Sequence, residues 1–597
     1  MPGLVGFVTK LPRQVAEARL HRMIEALCYE PDRESCMWFD ESLGIYAGLV
    51  ERRGQQISCE PIQNENRDRT LLLSGEVFPD EDGQSDGSSC RSYLMKHAEN
   101  ETCFPNRLNG LFHGILADQR NCRAILFNDR YGMHRLYHHE ADDAFYFGCE
   151  AKAILAVCPE LRSIDPEGLV QFISCGCTLE NRSIFAGISV LPAGSAWVFQ
   201  GRVPTVKGSH FSPKEWEEQP TLNPESYYRQ LKTVFAKTIP KYFAGPRQIG
   251  VALTGGLDSR MLMAWSGAVP MALRCYSFAS AFRESQDVKI ARMVARASGQ
   301  THSVIRVDGG LLNQFSHYAE RAIFLTDGCV EVKHAPDLYV SEQASKIAPI
   351  RVTGNYGGEV LRQVRAFKPS DPPNGIFAPD LDGSLVRAKH LYESLLTLHP
   401  LTFAVFYQAP WRQYGLLSLE RTQLKVRSPF LDNDIVRTAF QAPKSALEGN
   451  NVSLRLISDG SGKLRKIETD RGYGGTLPHW LAALQQAYLG FTFKAEYAFD
   501  YGMPDGIARV DSVLKGVRLE RMFLGRHKFT HFRLWYRDEL SGYVREMLLD
   551  PRTLARPYLQ RNSVERMVKE HCAGRQNHTT AIHKLLTLEH IHRQFID

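Results

Sequence analysis

A short glycine-containing segment, residues 253–259 with the sequence LTGGLDS, carries the clearest chemical signal in the chain. It follows the apolar run IGVAL and precedes residues with the apolar spacing of a helix. Gly255 and Gly256 let backbone N–H groups approach an anion without interference from a Cβ atom. The following helix points its positive end at the same place, and Thr254 and Ser259 add hydroxyl donors. The segment therefore predicts a phosphate-binding loop.

Asp258 lies within this loop and cannot bind phosphate directly, because both groups are negative. Carboxylate oxygens are ligands of Mg²⁺, and Mg²⁺ commonly bridges a protein carboxylate to phosphate. We therefore expect Asp258 to hold Mg²⁺. The alternative is an ordinary turn in which Asp258 or Ser259 only caps the following helix.

The composition is that of a soluble globular protein with more than one domain. The chain has 597 residues, of which 43% are hydrophobic and 23% are charged, so several cores can form. The net charge of +6 is spread along the chain, which argues against nucleic-acid and membrane-surface partners. The 13 cysteines lack metal-binding spacing, and the N-terminus lacks a signal-peptide pattern. We expect a cytoplasmic protein with reduced thiols.

The pattern of elements divides the chain in two. Residues 1–207 read as short strands separated by turns, and residues 208–226 are polar and contain proline, as a linker does. In residues 227–597, strands first alternate with helices, which is typical of a parallel α/β sheet, and the rest is mostly helical. Asp165 and Pro166 predict the capped start of a helix.

Several segments of the second part resemble the asparagine synthetase family of N-type ATP pyrophosphatases. The 253–259 loop is similar to the family's SGGxDS loop, with Thr254 in the place of serine. Residues 276–280 (YSFAS), 287–289 (DVK) and 427–432 (RSPFLD) resemble further family segments. The resemblance implies that the backbone near Ser280 holds adenine. It assigns ATP and pyrophosphate binding to Leu253, Thr254, Gly255, Gly256, Asp258, Ser259, Ser280, Thr353 and Gly354.

The first part is similar to the same family over nearly its whole length. The matching segments are SGEVF at 74–78, LNGLF at 108–112, NDRYG at 128–132, EAKAI at 150–154 and LPAG at 191–194. The resemblance implies a glutamine amidotransferase-like Ntn-type αββα sandwich at 1–207. It also implies a Rossmann-like parallel α/β ATP pyrophosphatase domain with a helical C-terminal part at 227–597, so the fold class is α/β combined with α+β.

The glutaminase site of the family is degenerate in this sequence. Family members use a cysteine at the N-terminus of the mature chain as nucleophile, whereas residue 2 here is Pro2. Ser74 replaces an asparagine whose amide belongs to the oxyanion hole, next to Gly75 and Glu76 of the same segment. We therefore expect that this domain does not hydrolyse glutamine.

The synthetase part also departs from the family. The family's SGEGSDE corresponds to residues 353–359, TGNYGGE, so that Asn355 and Gly358 replace acids while Glu359 remains. Glu359 is the expected second metal ligand, or alternatively a helix cap. Asn451 occupies the place of the family's lysine, and Arg455 occupies the place of an arginine expected to be catalytic together with Asp258 and Glu359. Lys463, Arg465 and Lys466 are further candidates for the missing cation, and spacing does not select among them.

The resemblance implies an ATP- and Mg²⁺-dependent amide ligase that forms AMP and pyrophosphate. The substrates would be a small-molecule or peptide carboxylate and an amine donor, either ammonia or a substrate amine. The alternatives are an intramolecular amide-forming enzyme of the β-lactam synthetase or lasso-cyclase kind and a non-catalytic ATP-binding homologue. A tRNA-modifying enzyme would require a basic face or a CxxC pair, and the sequence contains neither. A homodimer remains open.

Overall fold

The computed structural model describes residues 3–53, 60–79, 87–99, 104–200, 203–281, 283–365, 367–369, 375–474, 479–501 and 524–597. Pro2 lies outside the described residues, so its expected role stays a prediction.

The N-terminal part is built from two antiparallel sheets, each with six strands in the described residues, ordered β10-β8-β9-β1-β3-β2 and β12-β11-β7-β6-β5-β4. The strands are β1 (Gly3–Thr9), β2 (Arg33–Asp40), β3 (Ile45–Arg52), β4 (Ile62–Gln63), β5 (Arg69–Val77), β6 (Gly110–Asp118), β7 (Arg123–Asn128), β8 (Tyr137–Glu140), β9 (Ala144–Gly148), β10 (Ser189–Val190), β11 (Ser195–Gln200) and β12 (Val203–Ser209). The helices are α1 (Arg13–Glu25), α2 (Gly87–Glu99), α3 (Ala151–Leu155) and α4 (Pro166–Cys175).

Alternating apolar residues place the sheets between helices. In β1, Leu4 and Val8 pack between the two sheets, whereas Val5 and Phe7 pack on the other face with residues of α1. In β5, Leu72 joins the layer between the sheets, while its neighbours pack with residues of α2. Period-two alternation buries both faces of each sheet. The expected αββα sandwich is therefore confirmed.

Two local predictions concern the ends of this domain. Asp165 caps α4 by accepting a hydrogen bond from Gly168 N at 2.9 Å, with Pro166 as the first helical residue, as predicted. The predicted linker is more ordered than its composition suggests. β12 extends to Ser209, a short helix α5 (Lys214–Glu217) follows, and α6 (Pro224–Tyr242) begins inside the predicted range. The reason is burial, because Trp216 is 7% exposed and packs near Phe211.

The second part contains a parallel sheet with five strands in the described residues, ordered β15-β14-β13-β16-β17. The strands are β13 (Ile249–Ala252), β14 (Leu273–Ser280), β15 (Thr301–Val307), β16 (Ile350–Val352) and β17 (Lys425–Arg427). The chain moves outward from β13 to β15 and then returns to the other side of β13 with β16. This reversal opens a crevice between β13 and β16 at their carboxyl ends, where open α/β sheets bind ligands.

Helices surround this sheet and form the C-terminal part, as predicted. They are α7 (Asp258–Trp265), α8 (Gln286–Ala297), α9 (Gly309–Asn313), α10 (Phe315–Leu325), α11 (Ala335–Ile347), α12 (Gly357–Arg362), α13 (Asp382–Leu395), α14 (Pro400–Thr402), a π-helical segment Phe403–Gln413, α15 (Tyr414–Gln423), α16 (Asn433–Ala439), α17 (Lys444–Leu447), α18 (Asn451–Gly460), α19 (Gly462–Arg465), α20 (His479–Tyr501), α21 (Phe532–Arg537), α22 (Ser541–Leu548), α23 (Pro551–Leu554), α24 (Arg561–Cys572) and α25 (Thr579–Ile591). Among the described residues, none of the helices is long and apolar enough to span a bilayer.

A buried ion cluster joins the two parts. Glu76, at the end of β5, accepts from Arg427 Nη2 at 2.8 Å and pairs with Lys425 Nζ at 2.9 Å, both on β17. The Arg427 side chain is 3% exposed. Burial opposes the charge on Glu76, but Lys425 and Arg427 outweigh it and hold its pKa at about 2. A residue of the predicted glutaminase site therefore contributes to the domain interface.

Replacing Glu76 by glutamine should destabilise the protein, because Arg427 would keep a buried charge without its carboxylate. Breaking a buried pair costs about 3–5 kcal/mol. Since the pKa of folded Glu76 is depressed, its contribution is present above the unfolded pKa of roughly 4.3 and is lost as the pH falls toward 2. The difference in thermal unfolding midpoint between wild type and Glu76→Gln should therefore shrink between pH 5 and pH 3.

The matched control is Glu225→Gln, which breaks an exposed pair with Arg455 and should leave the midpoint unchanged within error. A midpoint difference for Glu76→Gln that is the same at every pH would contradict the assignment.

Candidate active site

A cavity of about 600 Å³ lies at the carboxyl edge of the parallel sheet. It is bounded by the ends of β13, β14 and β16 and by the π-helical segment Phe403–Gln413. The predicted site residues that line it are Leu253, Thr254, Gly256, Asp258, Ser259, Thr353, Gly354 and Glu359. Segments about 100 residues apart in sequence are thus brought to one cavity.

The loop after β13 is braced by its own hydroxyl groups. Thr254 Oγ1 accepts from Gly256 N at 3.2 Å and lies 3.3 Å from Ser259 Oγ. Gly255 differs from expectation, since it does not line the cavity and its N–H donates to Asp287 Oδ1 at 2.7 Å. Burial and the nearby Asp470 raise the pKa of Asp287 to about 6. The carboxylate of Asp287 therefore already accepts a hydrogen bond from one of the loop N–H groups, that of Gly255.

Asp258 and Glu359 are the two carboxylates expected to hold a metal. Asp258 Oδ2 pairs with Arg362 Nη2 at 3.0 Å, whereas Asp258 Oδ1 is buried and has no hydrogen-bond partner. Burial raises the pKa of Asp258 despite the opposing effect of Arg362. Burial also raises the pKa of Glu359, whose Oε1 accepts from Gln413 Nε2 at 2.6 Å, and the charge of Asp258 raises it further.

These two residues fit Mg²⁺, which is commonly held by one or two carboxylates together with phosphate oxygens. The buried, unpaired Oδ1 of Asp258 is the kind of atom that such an ion would satisfy. In the described part of the chain, no three His, Cys, Asp or Glu side chains are grouped as a metal site. Phosphate and water oxygens would therefore complete the coordination shell.

Two glycines allow the loop after β16 to touch the start of α7. A Cβ atom at Gly354 would lie 2.6 Å from Ser259 N, and one at Gly357 would lie 2.7 Å from Asp258 Cγ. Thr353, just before, accepts from Asn355 N at 3.2 Å through its hydroxyl. Contact this close requires the absence of side chains, so these glycines set the position of Asp258.

Ser280 lies at the end of β14, is 1% exposed and donates to the carbonyl of Arg283 at 3.3 Å. It does not line the cavity, whereas Ser277 and Phe278 of the same strand do.

Arg455 lies away from the cavity, which corrects the expectation that it acts there. It pairs with Glu225 at 2.6 Å and lies 3.7 Å from the centre of the Tyr228 ring. The reason is helical geometry, because α18 buries Ser453, Leu456 and Ile457 and so turns Arg455 outward. Asn451 is also exposed, and Lys463, Arg465 and Lys466 do not line the cavity.

Sequence reasoning missed the cations that do approach the site. Arg362 contacts Asp258, and Lys333 and Arg412 line the cavity. These residues come from three distant segments and follow no shared spacing, so only the fold brings them together.

The site expected to be a degenerate glutaminase is a cavity of about 60 Å³ at the domain interface. A cavity of this volume holds only a few water molecules, since each needs about 10–15 Å³. Ser74 Oγ donates to the buried Glu51 at 2.6 Å, and His113 and His134 approach at 3.0 Å between their Nδ1 atoms. Burial lowers the pKa of His113 to about 3, so it is neutral at pH 7.

Each of the two parts of the chain is similar to a known protein family. Residues 1–207 match the glutamine amidotransferase domain, and residues 230–397 and 515–593 match asparagine synthase. The two matches together span most of the chain, and the relatives below carry the name asparagine synthetase.

Its relatives are distant. The chain is 21% identical to the glutamine-hydrolyzing asparagine synthetase 3 of Bacillus subtilis, over 66% of this chain and 68% of that protein. It is 21% identical to asparagine synthetase B of Escherichia coli, over 66% of each chain. The match to the Rattus norvegicus enzyme is 28% identical but spans only 33% of this chain and 35% of that enzyme.

Replacing Gly354 by alanine should destabilise the protein by roughly 1–3 kcal/mol, because the new Cβ would meet the backbone nitrogen of Ser259. Gly462→Ala is the matched control, since a Cβ there meets nothing within 4 Å. Thermal unfolding of both variants tests the contact. Equal midpoints for the two variants would show that the loop and α7 are not packed as described.

Proposed function

We propose that the protein is an ATP-dependent amide ligase of the asparagine synthase type that forms AMP and pyrophosphate. The observation that carries the proposal is the convergence of the 253–259 loop, Thr353–Gly354, Asp258 and Glu359 on one cavity of about 600 Å³. The match of residues 230–397 and 515–593 to asparagine synthase supports the same activity. The reaction class is acyl adenylation followed by transfer to an amine.

In this proposal, Thr254, Gly256 and Ser259 bind the pyrophosphate part of ATP. Asp258 and Glu359 hold Mg²⁺, which would neutralise phosphate charge. A carboxylate oxygen of the substrate forms a bond to the α-phosphorus, and the bond from that phosphorus to the bridging oxygen breaks to release pyrophosphate. The amine nitrogen then forms a bond to the acyl carbon and loses a proton, while AMP leaves with the electrons of the carbon–oxygen bond.

Arg362 is the cation best placed to replace the altered family residues. A Cβ atom at Gly358 would lie 3.1 Å from Arg362 Nη2, so the loss of the acid at residue 358 leaves room for this guanidinium. Arg362 also donates from Nη1 to Ser453 Oγ at 3.2 Å, so both terminal nitrogens of its guanidinium group are held in position. We propose that Arg362 holds Asp258 in position and contributes positive charge as the α-phosphorus becomes five-coordinate.

The amine is proposed to be ammonia or a substrate amine. Ser74 lacks an amide donor and its hydroxyl donates to Glu51. Glu76 is held by Lys425 and Arg427. These contacts support a domain that does not process glutamine and that contributes to the interface with the synthetase part.

A second candidate is a nucleotide-binding homologue without ligase activity. The ion pair of Asp258 with Arg362 and the hydrogen bond of Gly255 with Asp287 favour it, because both occupy groups that an active site would offer to ATP and Mg²⁺. ATP binding without pyrophosphate release with any acid would favour this candidate.

Asp258→Asn and Arg362→Ala should each lower pyrophosphate release by about a hundredfold or more, because each removes preorganised charge next to the reacting phosphates. Pyrophosphate and AMP are measured with ATP, Mg²⁺ and a panel of carboxylic acids. Arg455→Ala should change the rate by less than about twofold, since its side chain lies outside the cavity. Loss of turnover in Arg455→Ala with wild-type rates in the other two variants would reverse these assignments.

Glutamine should not be a nitrogen donor. Incubation of the protein with glutamine should release glutamate at the background rate, with or without ATP, whereas ammonia or an amine should support product formation. Glutamate release at a rate matching AMP formation would refute this part of the proposal.

A further inference from the structure

A second cavity, of about 170 Å³, adjoins the candidate active site. Lys333 and Arg412 line both cavities, so their side chains form the boundary between the two. The second cavity is also lined by Glu331, Lys368, His583 and Lys584. We name it the cationic pocket.

The charges in the cationic pocket are unbalanced. Lys333, Lys368, Arg412 and Lys584 are cations, whereas Glu331 is the one carboxylate among the described lining residues. His583 is neutral, because burial lowers its pKa well below the ordinary value. The described lining therefore carries a formal excess of three positive charges, and burial lowers the pKa of Lys333 and of Lys584. Partly buried charge of one sign is unfavourable unless a counter-charge binds.

Glu331 is already bound by its neighbours. Its Oε1 lies 2.9 Å from Lys333 Nζ and 3.8 Å from Arg412 Nη2, and its side chain is only 4% exposed. Lys584 is almost fully buried and donates to the carbonyl of Ile173, while Lys368 is exposed. The carboxylate of Glu331 therefore positions the side chains of Lys333 and Arg412.

Resting on the proposed ligase function, we infer that the acid activated by this protein carries a second, strongly anionic group, which the cationic pocket binds. The reacting carboxylate would lie beside the 253–259 loop, and Lys333 and Arg412 would contact the part of the acid between the two cavities. The chemical class is a dianionic acid without an ammonium group, such as a phosphonate-bearing carboxylic acid.

An amino acid substrate such as aspartate fits this surface poorly. Its ammonium group needs a carboxylate partner, and Glu331 is engaged by two cations. Asp258 and Glu359 are assigned to the metal, and Asp287 accepts from Gly255. Pyrophosphate is the competing anion, so the test must be made with the nucleotide site filled.

The experiment is isothermal titration of the protein loaded with Mg²⁺ and α,β-methylene ATP. The probes are 3-phosphonopropionate, aspartate and propionate. We expect 3-phosphonopropionate to bind at least about tenfold more tightly than either other acid. Lys368→Ala and Lys584→Met should each weaken its binding at least about tenfold. Lys569→Ala, an exposed lysine of α24, is the control and should bind like wild type.

The possible outcomes distinguish failure of the inferred substrate class from failure of the proposed ligase function. Aspartate binding as tightly as 3-phosphonopropionate, or binding that is unchanged in folded Lys368→Ala, overturns the inferred substrate class even if some acid supports AMP formation. If the nucleotide analogue does not bind, the proposed function fails, and titration of 3-phosphonopropionate into the free protein still tests the pocket. Since Lys368 is exposed, its variant should fold even if Lys584→Met does not.

Discussion

The parallel arrangement of β13, β14 and β16 is the constraint on which the candidate site depends. Because all strands of this sheet point the same way, their carboxyl ends meet at one edge. The reversal of strand order beside β13 then leaves a crevice at that edge. Gly354 and Gly357 let the loop after β16 contact the start of α7, which brings Asp258 into the crevice. The separation between β13 and β16 in sequence is irrelevant once the strands pair.

Charge is distributed unevenly around this crevice. Asp258, Asp287 and Glu359 line it, and burial raises the pKa of each carboxyl group. Lys333 and Arg412 lie at the boundary with the cationic pocket. A site that contains both carboxylates and cations can bind a metal–phosphate group and an organic anion side by side, which is the arrangement that the proposed reaction requires.

Residues of the predicted glutaminase site lie at the interface between the two parts of the chain. Glu76 lies in the segment that resembles the glutaminase pocket, yet its carboxylate is bound by Lys425 and Arg427 of the other part of the chain. Asn109 likewise donates to Asp432 at 2.7 Å across the same interface. Ser74, which replaces an asparagine of the family, donates a hydrogen bond to the buried carboxylate of Glu51. These contacts tie the N-terminal domain to the rest of the chain, whether or not the domain hydrolyses glutamine.

The sequence by itself predicted the parallel sheet from the alternation of strands and helices, and its glycine positions predicted a phosphate loop after the first of these strands. The resemblance of its ordered motifs to a known family predicted the αββα sandwich, and the structure contains both kinds of sheet. It could not place Arg455, because alignment with a family gives a position along a helix and not the face that packing buries. It could not find Arg362, Lys333, Arg412 or the cationic pocket, since these groups are joined only by long-range contacts. Local patterns encode strands, helices and loops, whereas the pairing of buried charges is decided only when the tertiary structure brings distant segments together.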